Sequence, residues 1–298
     1  MNLIIQPEAG LAPVVRAIQK AKRAVDIAIF RLDQAEIEKA LGAAVQRGVK
    51  VRVLVAHTNR GGEARLRKLE QRLLEAGATV TRTGDDFPRY HYKFMIADDT
   101  LHLFGFNFTK VDALKSRSFG VSTRDASAVR EARALFEADS SRQPYVPKRT
   151  HLVVSPENAR EMLTAFVKGA KRQILIYDVN LQDPLFIKLL EAQAAAGVDV
   201  RVIGKCKGAK KIDVRPLKSM RLHVRALVRD GVRAFVGSQS LRRIELDRRR
   251  EVGVLITNAA VTRQIRDTFE ADWAQAESSV EKSTSAGRVV EFAARELA

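Results

Sequence analysis

The chain has 298 residues, of which 46% are hydrophobic and 29% charged, a composition typical of a soluble globular protein with one large or two ordinary domains. The longest apolar runs, such as Val25–Phe30, are too short to span a membrane, and the first residues lack the basic start and apolar block of a signal peptide. The formal net charge of +17 predicts an anionic partner, such as nucleic acid, an acidic membrane surface or a phosphorylated substrate.

Histidine and cysteine never cluster at metal-ligand spacing, so the sequence predicts neither a metal site nor a cofactor. The one cysteine, Cys206, cannot form an internal disulfide and is interpreted as a partly buried structural thiol. With no signal peptide predicted, this cysteine usage indicates a cytoplasmic location. Basic residues are shared evenly between the halves, and two local clusters could be either binding surfaces or solvated faces: Lys205, Lys207, Lys210 and Lys211, then Arg242, Arg243, Arg248, Arg249 and Arg250.

Helical periodicity alternates with β-branched runs along the chain, which predicts a sheet with parallel strands flanked by helices. In chain order, the predicted elements are helix Leu11–Ala21, strand Ala24–Phe30, helix Gln34–Arg47, strand Val51–Val55, helix Glu63–Ala76, strand Thr79–Thr83, strand Leu101–Phe104 and a helix around Phe136. The second half is predicted to contain helix Glu157–Lys168, strand Gln173–Val179, helix Leu185–Ala196, strand Val200–Ile203, strand Arg233–Val236 and a helix around Phe269 and Trp273. Gly48 and Gly197 are expected to end the second helix of each half.

The two halves resemble each other in sequence. AKRAVDIAIF, starting at Ala21, matches AKRQILIYDV, starting at Ala170, at an offset of 149. HYKFMIADD, starting at His91, matches HVRALVRDG, starting at His223, at an offset of 132. Ordered matches across the whole length indicate an internal duplication. The later matches, at an offset of 133, are SFGV with EVGV and the two FEAD segments.

The duplication predicts two repeats, residues 1–148 and 149–277, followed by a spacer and short helix over 278–298. Ser140–Lys148, with two prolines, is the predicted linker between the repeats. The first repeat has an extra helix and strand, which the second replaces with the basic stretch KCKGAKKIDVRPLK.

Each repeat carries a histidine and, two residues later, a long cation. On the predicted strands His91 and Lys93 share one face. A side chain that can change protonation near neutral pH, beside a cation, suits a bound phosphate that is to be attacked. A pseudo-twofold axis could place His91 and His223 on opposite sides of one phosphorus atom, one as nucleophile and one as general acid.

At these residues the sequence resembles the phospholipase D superfamily, whose signature is two His-x-Lys-x4-Asp motifs, each followed by x6-Gly-Ser-x-Asn. The resemblance covers almost the whole chain. It implies a fold of two similar α/β/α-sandwich halves around one central cleft. It also implies a metal-independent phosphodiesterase that forms a phosphohistidine intermediate, with substrates ranging from phospholipids to nucleic acids. Both halves of such a site lie in one chain, so a monomer would be sufficient.

The resemblance assigns phosphate-binding roles to polar residues of both repeats. Lys93 and Asn107 would bind the phosphate from the first half. Arg225 and Ser240 would do so from the second half, with Ser238 in the same Gly-Ser run. Arg225 departs from the family lysine, and a guanidinium is bulkier and always charged.

The resemblance also predicts roles for three carboxylates. Asp98 and Asp230 are expected to brace the motif strands, although they belong to the catalytic signature. Glu251 occupies the family position of the carboxylate that hydrogen-bonds the histidine of its own half, here His223.

Two further departures concern the first half. GFN replaces Gly-Ser-x-Asn, which shortens the loop that holds Asn107 and is expected to displace it. Ser118 matches Glu251, so His91 is expected to lack a carboxylate partner. Because a nearby carboxylate raises the pKa of an imidazole, these expectations make His223 the general acid and His91 the nucleophile.

Two hypotheses for the function remain open on the sequence. The first is an active phosphodiesterase acting on a phospholipid or a nucleic-acid backbone, and the charge alone does not separate these substrates. The absence of a lipidation motif and of a basic amphipathic membrane helix slightly favours nucleic acid or a soluble phosphodiester. The second is a duplicated scaffold that has lost turnover and binds nucleic acid or other polyanions, which the departures from the family signature motivate.

Overall fold

Two mixed α/β halves make up the computed structural model, which describes residues 1–59, 61–148 and 151–276. The spacer and helix predicted for 278–298 lie outside these residues. In the first half the strands are β1 (Asn2–Gln6), β2 (Ala24–Ile29), β3 (Lys50–Val55), β4 (Thr79–Arg82), β5 (Lys93–Ala97), β6 (Thr100–Phe104) and β7 (Ser116–Thr123). Its helices are α1 (Ala12–Lys20), α2 (Ala35–Gln46), α3 (Glu63–Glu75), α4 (Lys110–Leu114) and α5 (Ala126–Ser141).

The second half repeats this order of elements without a counterpart of α3 and with one additional short strand, β12. Its strands are β8 (Leu152–Ser155), β9 (Gln173–Leu181), β10 (Asp199–Cys206), β11 (Asp213–Arg215), β12 (Arg221–Leu222), β13 (Ala226–Arg229), β14 (Arg233–Gly237) and β15 (Glu251–Ile256). Its helices are α6 (Ala159–Lys168), α7 (Pro184–Ala195), α8 (Arg243–Asp247) and α9 (259–276).

The two sheets have the same strand order. The first runs β1-β7-β6-β5-β2-β3-β4 and the second β8-β15-β14-β13-β9-β10-β11. Along each of these strand orders, two neighbouring pairs, β2–β3 with β3–β4 and β9–β10 with β10–β11, are parallel, and the other pairs are antiparallel. The predicted α/β fold with two similar halves is therefore confirmed.

Most predicted elements end within one or two residues of those observed. Gly48 and Gly197, at φ +83° and +88°, follow α2 and α7, in the left-handed backbone that glycine adopts without strain. The predicted linker begins too early, since α5 continues to Ser141, and it is not wholly exposed, since Tyr145 is buried in the core. The basic stretch of the second half is not merely a loop, because its residues Asp213–Arg215 form the edge strand β11.

Three hydrophobic clusters form the core. One lies under α1, α2 and α3 of the first half, and a second lies under α6 and α7 of the second half. The third contains residues of both sheets together with α5 and α9, including Phe119 and Tyr177, whose rings meet edge to face at 5.6 Å. Because burial of this third cluster requires both sheets, the halves pack as one unit.

Two buried arginines join the halves at equivalent positions. Arg117 Nε lies 2.8 Å from Asp272 Oδ2 on α9, and Arg250 Nη2 lies 3.2 Å from Asp139 Oδ1 on α5. Arg117 and Arg250 are separated by 133 residues, which is the offset between the matching segments of the two repeats. Each aspartate is the last residue of one of the two FEAD segments. The repeated tetrapeptide thus supplies the carboxylates that pair across the interface.

Short extended segments also cross between the halves. Leu222 and Arg221 in β12 pair in parallel with Arg117 and Ser116 at the start of β7. The equivalent contact on the other side is an isolated bridge between Tyr90 and Arg250. The residues just before each His motif are therefore hydrogen-bonded to the opposite half.

Candidate active site

Both motif histidines line one cleft between the halves. His91 and His223 are only 8% and 6% exposed, and both face the same cavity of about 500 Å³. The strands of the motifs begin only at Lys93 and Ala226, so each histidine lies just before its strand and not within it. The His91 amide donates to the Arg250 carbonyl oxygen at 2.8 Å, which fixes this segment against the second half. The His223 amide makes the equivalent bond to the Arg117 carbonyl oxygen, at 3.0 Å.

The carboxylate partner of His91 comes from the second half. Nδ1 of His91 lies 2.9 Å from Oε2 of the fully buried Glu251. The predictions that Glu251 pairs with His223 and that His91 lacks a carboxylate were wrong. Glu251 directly follows Arg250, whose carbonyl oxygen accepts from the His91 amide, so the cross-half backbone bond brings Glu251 to the opposite histidine.

The other histidine faces a carboxylate that the sequence did not single out. Nδ1 of His223 lies 3.6 Å from Oδ2 of Asp112 in α4, which is longer than a hydrogen bond. Ser118, the position equivalent to Glu251, is fully buried, and its hydroxyl has no hydrogen-bond partner among the described residues. Each imidazole therefore has a carboxylate on its Nδ1 side.

Burial dominates the protonation of the histidines and of Lys93. It lowers the pKa of both His91 and His223 well below the usual value, with further lowering by Lys93 and Arg225. The expectation that a carboxylate keeps the pKa of His223 high in the free protein was therefore wrong. Burial also lowers the pKa of the Lys93 ammonium to about 7 and raises that of the Glu251 carboxyl.

The cations of the two motifs occupy matching places. Lys93 Nζ lies 3.0 Å from His91 Nε2 and donates to the His91 carbonyl oxygen at 2.5 Å. Arg225 donates from Nη1 to the His223 carbonyl oxygen at 3.0 Å and from Nε to Ser240 Oγ at 3.3 Å. The lysine is wholly buried beside its histidine, whereas Arg225 also lines the cleft. The guanidinium of Arg225 therefore forms part of the cleft wall.

The shortened loop leaves Asn107 in the position equivalent to Ser240. The amide of Asn107 donates to Asp112 at 2.9 Å, and that of Ser240 donates to Glu245 at 2.8 Å. Asn107 lines the cleft, so the expected displacement of its side chain is not observed. In contrast, Ser238 does not line the cleft, and its hydroxyl accepts from the Val252 amide and donates to the Val252 carbonyl oxygen.

Asp98 and Asp230 lie outside the cleft. Each accepts three backbone N–H groups at the start of the neighbouring strand of its own sheet: Lys22, Arg23 and Ala24 for Asp98, and Lys171, Arg172 and Gln173 for Asp230. Both also adopt left-handed backbone, at φ +49° and +53°. They tie the turn after the motif strand to the start of β2 or β9, as braces do.

Several cleft cations were missed in the sequence. Arg89 and Arg221 precede the two histidines by two residues and are separated by the motif offset of 132, so the repeated unit is Arg-x-His-x-cation. This offset was the signal that could have identified them. From the second basic cluster, Arg242 and Arg249 line the cleft, whereas Arg250 is buried at the interface. The other basic residues of the cleft wall are Arg31 and Lys110.

The part of the chain that the structure describes contains neither a metal-binding cluster nor a membrane-spanning helix. Within it, no three His, Cys, Asp or Glu residues are arranged to hold a metal ion. The helices of the same residues are all too short or too polar to cross a bilayer.

Comparison with known families gives the same architecture. The family described as cardiolipin synthase, phospholipase D-like domain, matches residues 14–140 and 163–273, one segment in each half. The chain belongs to the phospholipase D superfamily. Comparison with curated proteins found no match.

Solved structures with TM-scores above 0.5 share this fold at low sequence identity. A polyphosphate kinase from Porphyromonas gingivalis superposes with a TM-score of 0.75 at 21% identity, over 91% of this chain and 50% of that one. The chain therefore spans half the length of that kinase. A phosphatidylserine synthase from Haemophilus influenzae has a TM-score of 0.67 at 12% identity, over 92% and 85% of the chains. A phospholipase D family member, Nuc from Salmonella typhimurium, has a TM-score of 0.44 at 23% identity, over 49% and 97%.

Membership of the phospholipase D superfamily supports phosphoryl-transfer chemistry at the cleft. The motif positions that define the superfamily here, His91 and His223, are the two imidazoles that share it.

Proposed function

We propose that the protein is a phospholipase D-type phosphodiesterase that cleaves or transfers a phosphodiester through a phosphohistidine on His91, with His223 as general acid. The observation that carries this proposal is the pair of imidazoles in one basic cleft. Each imidazole has a carboxylate of the opposite half on its Nδ1 side, Glu251 for His91 and Asp112 for His223. Such a pair can attack and protonate on opposite sides of one phosphorus atom.

His91 is suited to be the nucleophile. Nδ1 of the neutral imidazole donates a hydrogen bond to Glu251, so this tautomer carries its lone pair on Nε2, 3.0 Å from Lys93 Nζ. Burial keeps the pKa of this imidazole low, which keeps the lone pair available at neutral pH. The lone pair attacks phosphorus to form a P–N bond, and the P–O bond to the leaving group breaks with its electron pair on oxygen.

His223 is suited to protonate that oxygen. Its pKa is low in the free cleft, and both a bound phosphate anion and Asp112 favour the imidazolium. The leaving oxygen takes the Nε2 proton of His223. Water or an alcohol then gives its proton back to His223 and attacks phosphorus, and the P–N bond breaks to return the lone pair to His91.

The remaining cations would stabilise the phosphoryl oxygens. Lys93 already lies beside the attacking nitrogen, and Arg225 presents a fork that matches a phosphate anion. Asn107 and Ser240 would add neutral donors from the two matching loops. Preorganised charges of this kind stabilise the transition state without reorganisation during the reaction.

Acid-labile labelling tests the proposal directly. The protein is quenched during turnover of a ³²P-labelled phosphodiester, and the label is mapped by peptide digestion. Label on the peptide that contains His91, lost in His91→Ala and still formed with an activated substrate in His223→Ala, is the expected result. A label on His223 alone would reverse the roles, and an unlabelled protein that turns over substrate would contradict the covalent mechanism.

The substrate is proposed to be an anionic phosphodiester, either a phospholipid or a nucleic-acid backbone, which the cleft cations would attract. Parallel assays with single-stranded DNA and with phosphatidylglycerol vesicles, both in EDTA, separate these two and test the metal-independent mechanism. Turnover of one substrate in EDTA is expected. Loss of all turnover in EDTA and its return with Mg²⁺ would contradict the metal-independent part.

A further inference from the structure

We propose that Asp112 is the positioning residue of His223, a role that Glu251 performs for His91. This inference rests on the proposed function, because it assigns a residue to the general-acid side of the same site. The two histidines make equivalent backbone hydrogen bonds, but their side chains have different neighbours.

The backbone of the two sites is equivalent. The His91 amide bonds the Arg250 carbonyl oxygen, and the next residue is Glu251. The His223 amide bonds the Arg117 carbonyl oxygen, and the next residue is Ser118. A carboxylate in place of Ser118 would therefore lie where Glu251 lies, on the Nδ1 side of the imidazole.

Ser118 is neutral, so no charged side chain occupies the position equivalent to Glu251. Its hydroxyl is buried and has no hydrogen-bond partner in the described part of the chain, and Nδ1 of His223 has none there either. Oδ2 of Asp112 lies 3.6 Å from this Nδ1. Asp112 is 3% exposed, so its negative charge acts on the imidazole with little solvent screening.

Asp112 is itself held in place. Its Oδ2 accepts from the backbone and side-chain amides of Asn107, and its Oδ1 accepts from Arg221 at 2.5 Å. Burial raises the pKa of this carboxyl, but His223, Asn107 and Arg221 outweigh it and lower the pKa overall. The residue therefore stays ionised beside an imidazole that must become cationic.

The charges around His223 come from four elements and mostly oppose protonation. Arg225 follows it in the motif, Lys93 begins β5 and Arg221 lies in β12, and all three lower the pKa of His223. Asp112 in α4 raises it. Without this carboxylate, the imidazolium that protonates the leaving oxygen would form at lower pH.

Leaving groups that differ in their need for a proton provide the test. Wild type, Asp112→Asn and Glu245→Gln are compared on diphenyl phosphate and on bis-p-nitrophenyl phosphate, whose leaving phenolate needs no proton. Glu245 accepts from the equivalent loop amide, so it controls for loss of that structural bond. Asp112→Asn is expected to slow the phenyl ester about 100-fold and the nitrophenyl ester less than about threefold. Glu245→Gln is expected to slow both equally.

The pH profile is a second readout. Activity that needs protonated His223 falls as pH rises through its pKa, so Asp112→Asn should shift this falling limb to lower pH. Equal losses on both esters with an unshifted limb would overturn the inference. Asp112→Ser, which keeps a short acceptor without the charge, replaces the amide variant if the latter does not fold.

Phosphohistidine labelling distinguishes a failure of the proposed function from a failure of the role of Asp112. If wild-type protein forms no phosphohistidine, the mechanism itself is wrong. If wild type forms it on His91 and Asp112→Asn hydrolyses both esters at wild-type rates, only the role of Asp112 is wrong.

Discussion

Arg250 in the second half and Asp139 in the first lie 3.2 Å apart between Nη2 and Oδ1, and both side chains are almost fully buried. Arg250 also pairs with Glu157 and stacks over Phe87 at 4.5 Å from the ring centre. Its charge is thus balanced by carboxylates from both halves. Removal of either partner leaves an unbalanced charge in the interior.

We predict that Asp139→Ala lowers the free energy of unfolding by about 3–5 kcal/mol, because Arg250 then keeps only one of its two carboxylates. Urea denaturation followed by circular dichroism measures this loss. Glu137→Ala on the same helix is the control, since its pair with Arg52 is exposed and should contribute less than about 1 kcal/mol. Equal effects of the two variants would show that the interface pair does not stabilise the fold.

Glu251→Gln is predicted to slow phosphohistidine formation about 10²–10⁴-fold, because the amide no longer stabilises the tautomer with a free Nε2 on His91. Single-turnover labelling measures this step separately from release. Ser118→Ala at the equivalent position should change it little. A loss confined to substrate affinity, with an unchanged labelling rate, would contradict this role of Glu251.

Lys93→Met is predicted to abolish turnover and to stabilise the fold. Burial lowers the pKa of Lys93 to about 7 in the folded protein, against 10.5 in the unfolded chain. The unfolded chain therefore binds more protons between these values, so the wild-type free energy of unfolding rises with pH there. The advantage of Lys93→Met should be largest below pH 7 and shrink towards pH 10. An advantage independent of pH would show that the pKa of Lys93 is not lowered by folding.

Asp98→Ala is predicted to lower stability by about 1–3 kcal/mol, since it leaves three backbone donors of the β2 entrance without their acceptor. The folded fraction should keep its kcat. These hydrogen bonds lower the pKa of Asp98 against the effect of burial, so its contribution is present above pH 4 and is lost as pH falls further. A folded Asp98→Ala protein with lost turnover would instead place Asp98 in the chemistry.

The duplication was sufficient to predict the fold and the two histidines that share one cleft. The offsets of 149, 132 and 133 identify equivalent residues, and equivalent residues do occupy equivalent places, as Asn107 and Ser240 show. The offsets do not say which half a side chain contacts. Glu251 was assigned to the wrong histidine for this reason, since the chain crosses to the opposite half just before each motif.

Residues outside the motifs were harder to predict. Asp112 lies in a five-residue helix with no signature of its own, and only packing of α4 against the second half brings it to His223. The short strand β11 was missed because a basic, glycine-containing stretch does not favour a strand, and its pairing with β10 decides its conformation.

The shared central cluster has a consequence for how such a chain could arise. A solitary repeat would expose the apolar face that now packs against the other sheet, so it would be expected to associate with a copy of itself. In such a pair of identical subunits, any change beside one imidazole appears beside the other as well. Fusion into a single polypeptide removes that constraint, and the glutamate on one side with the serine on the other are the kind of divergence it permits.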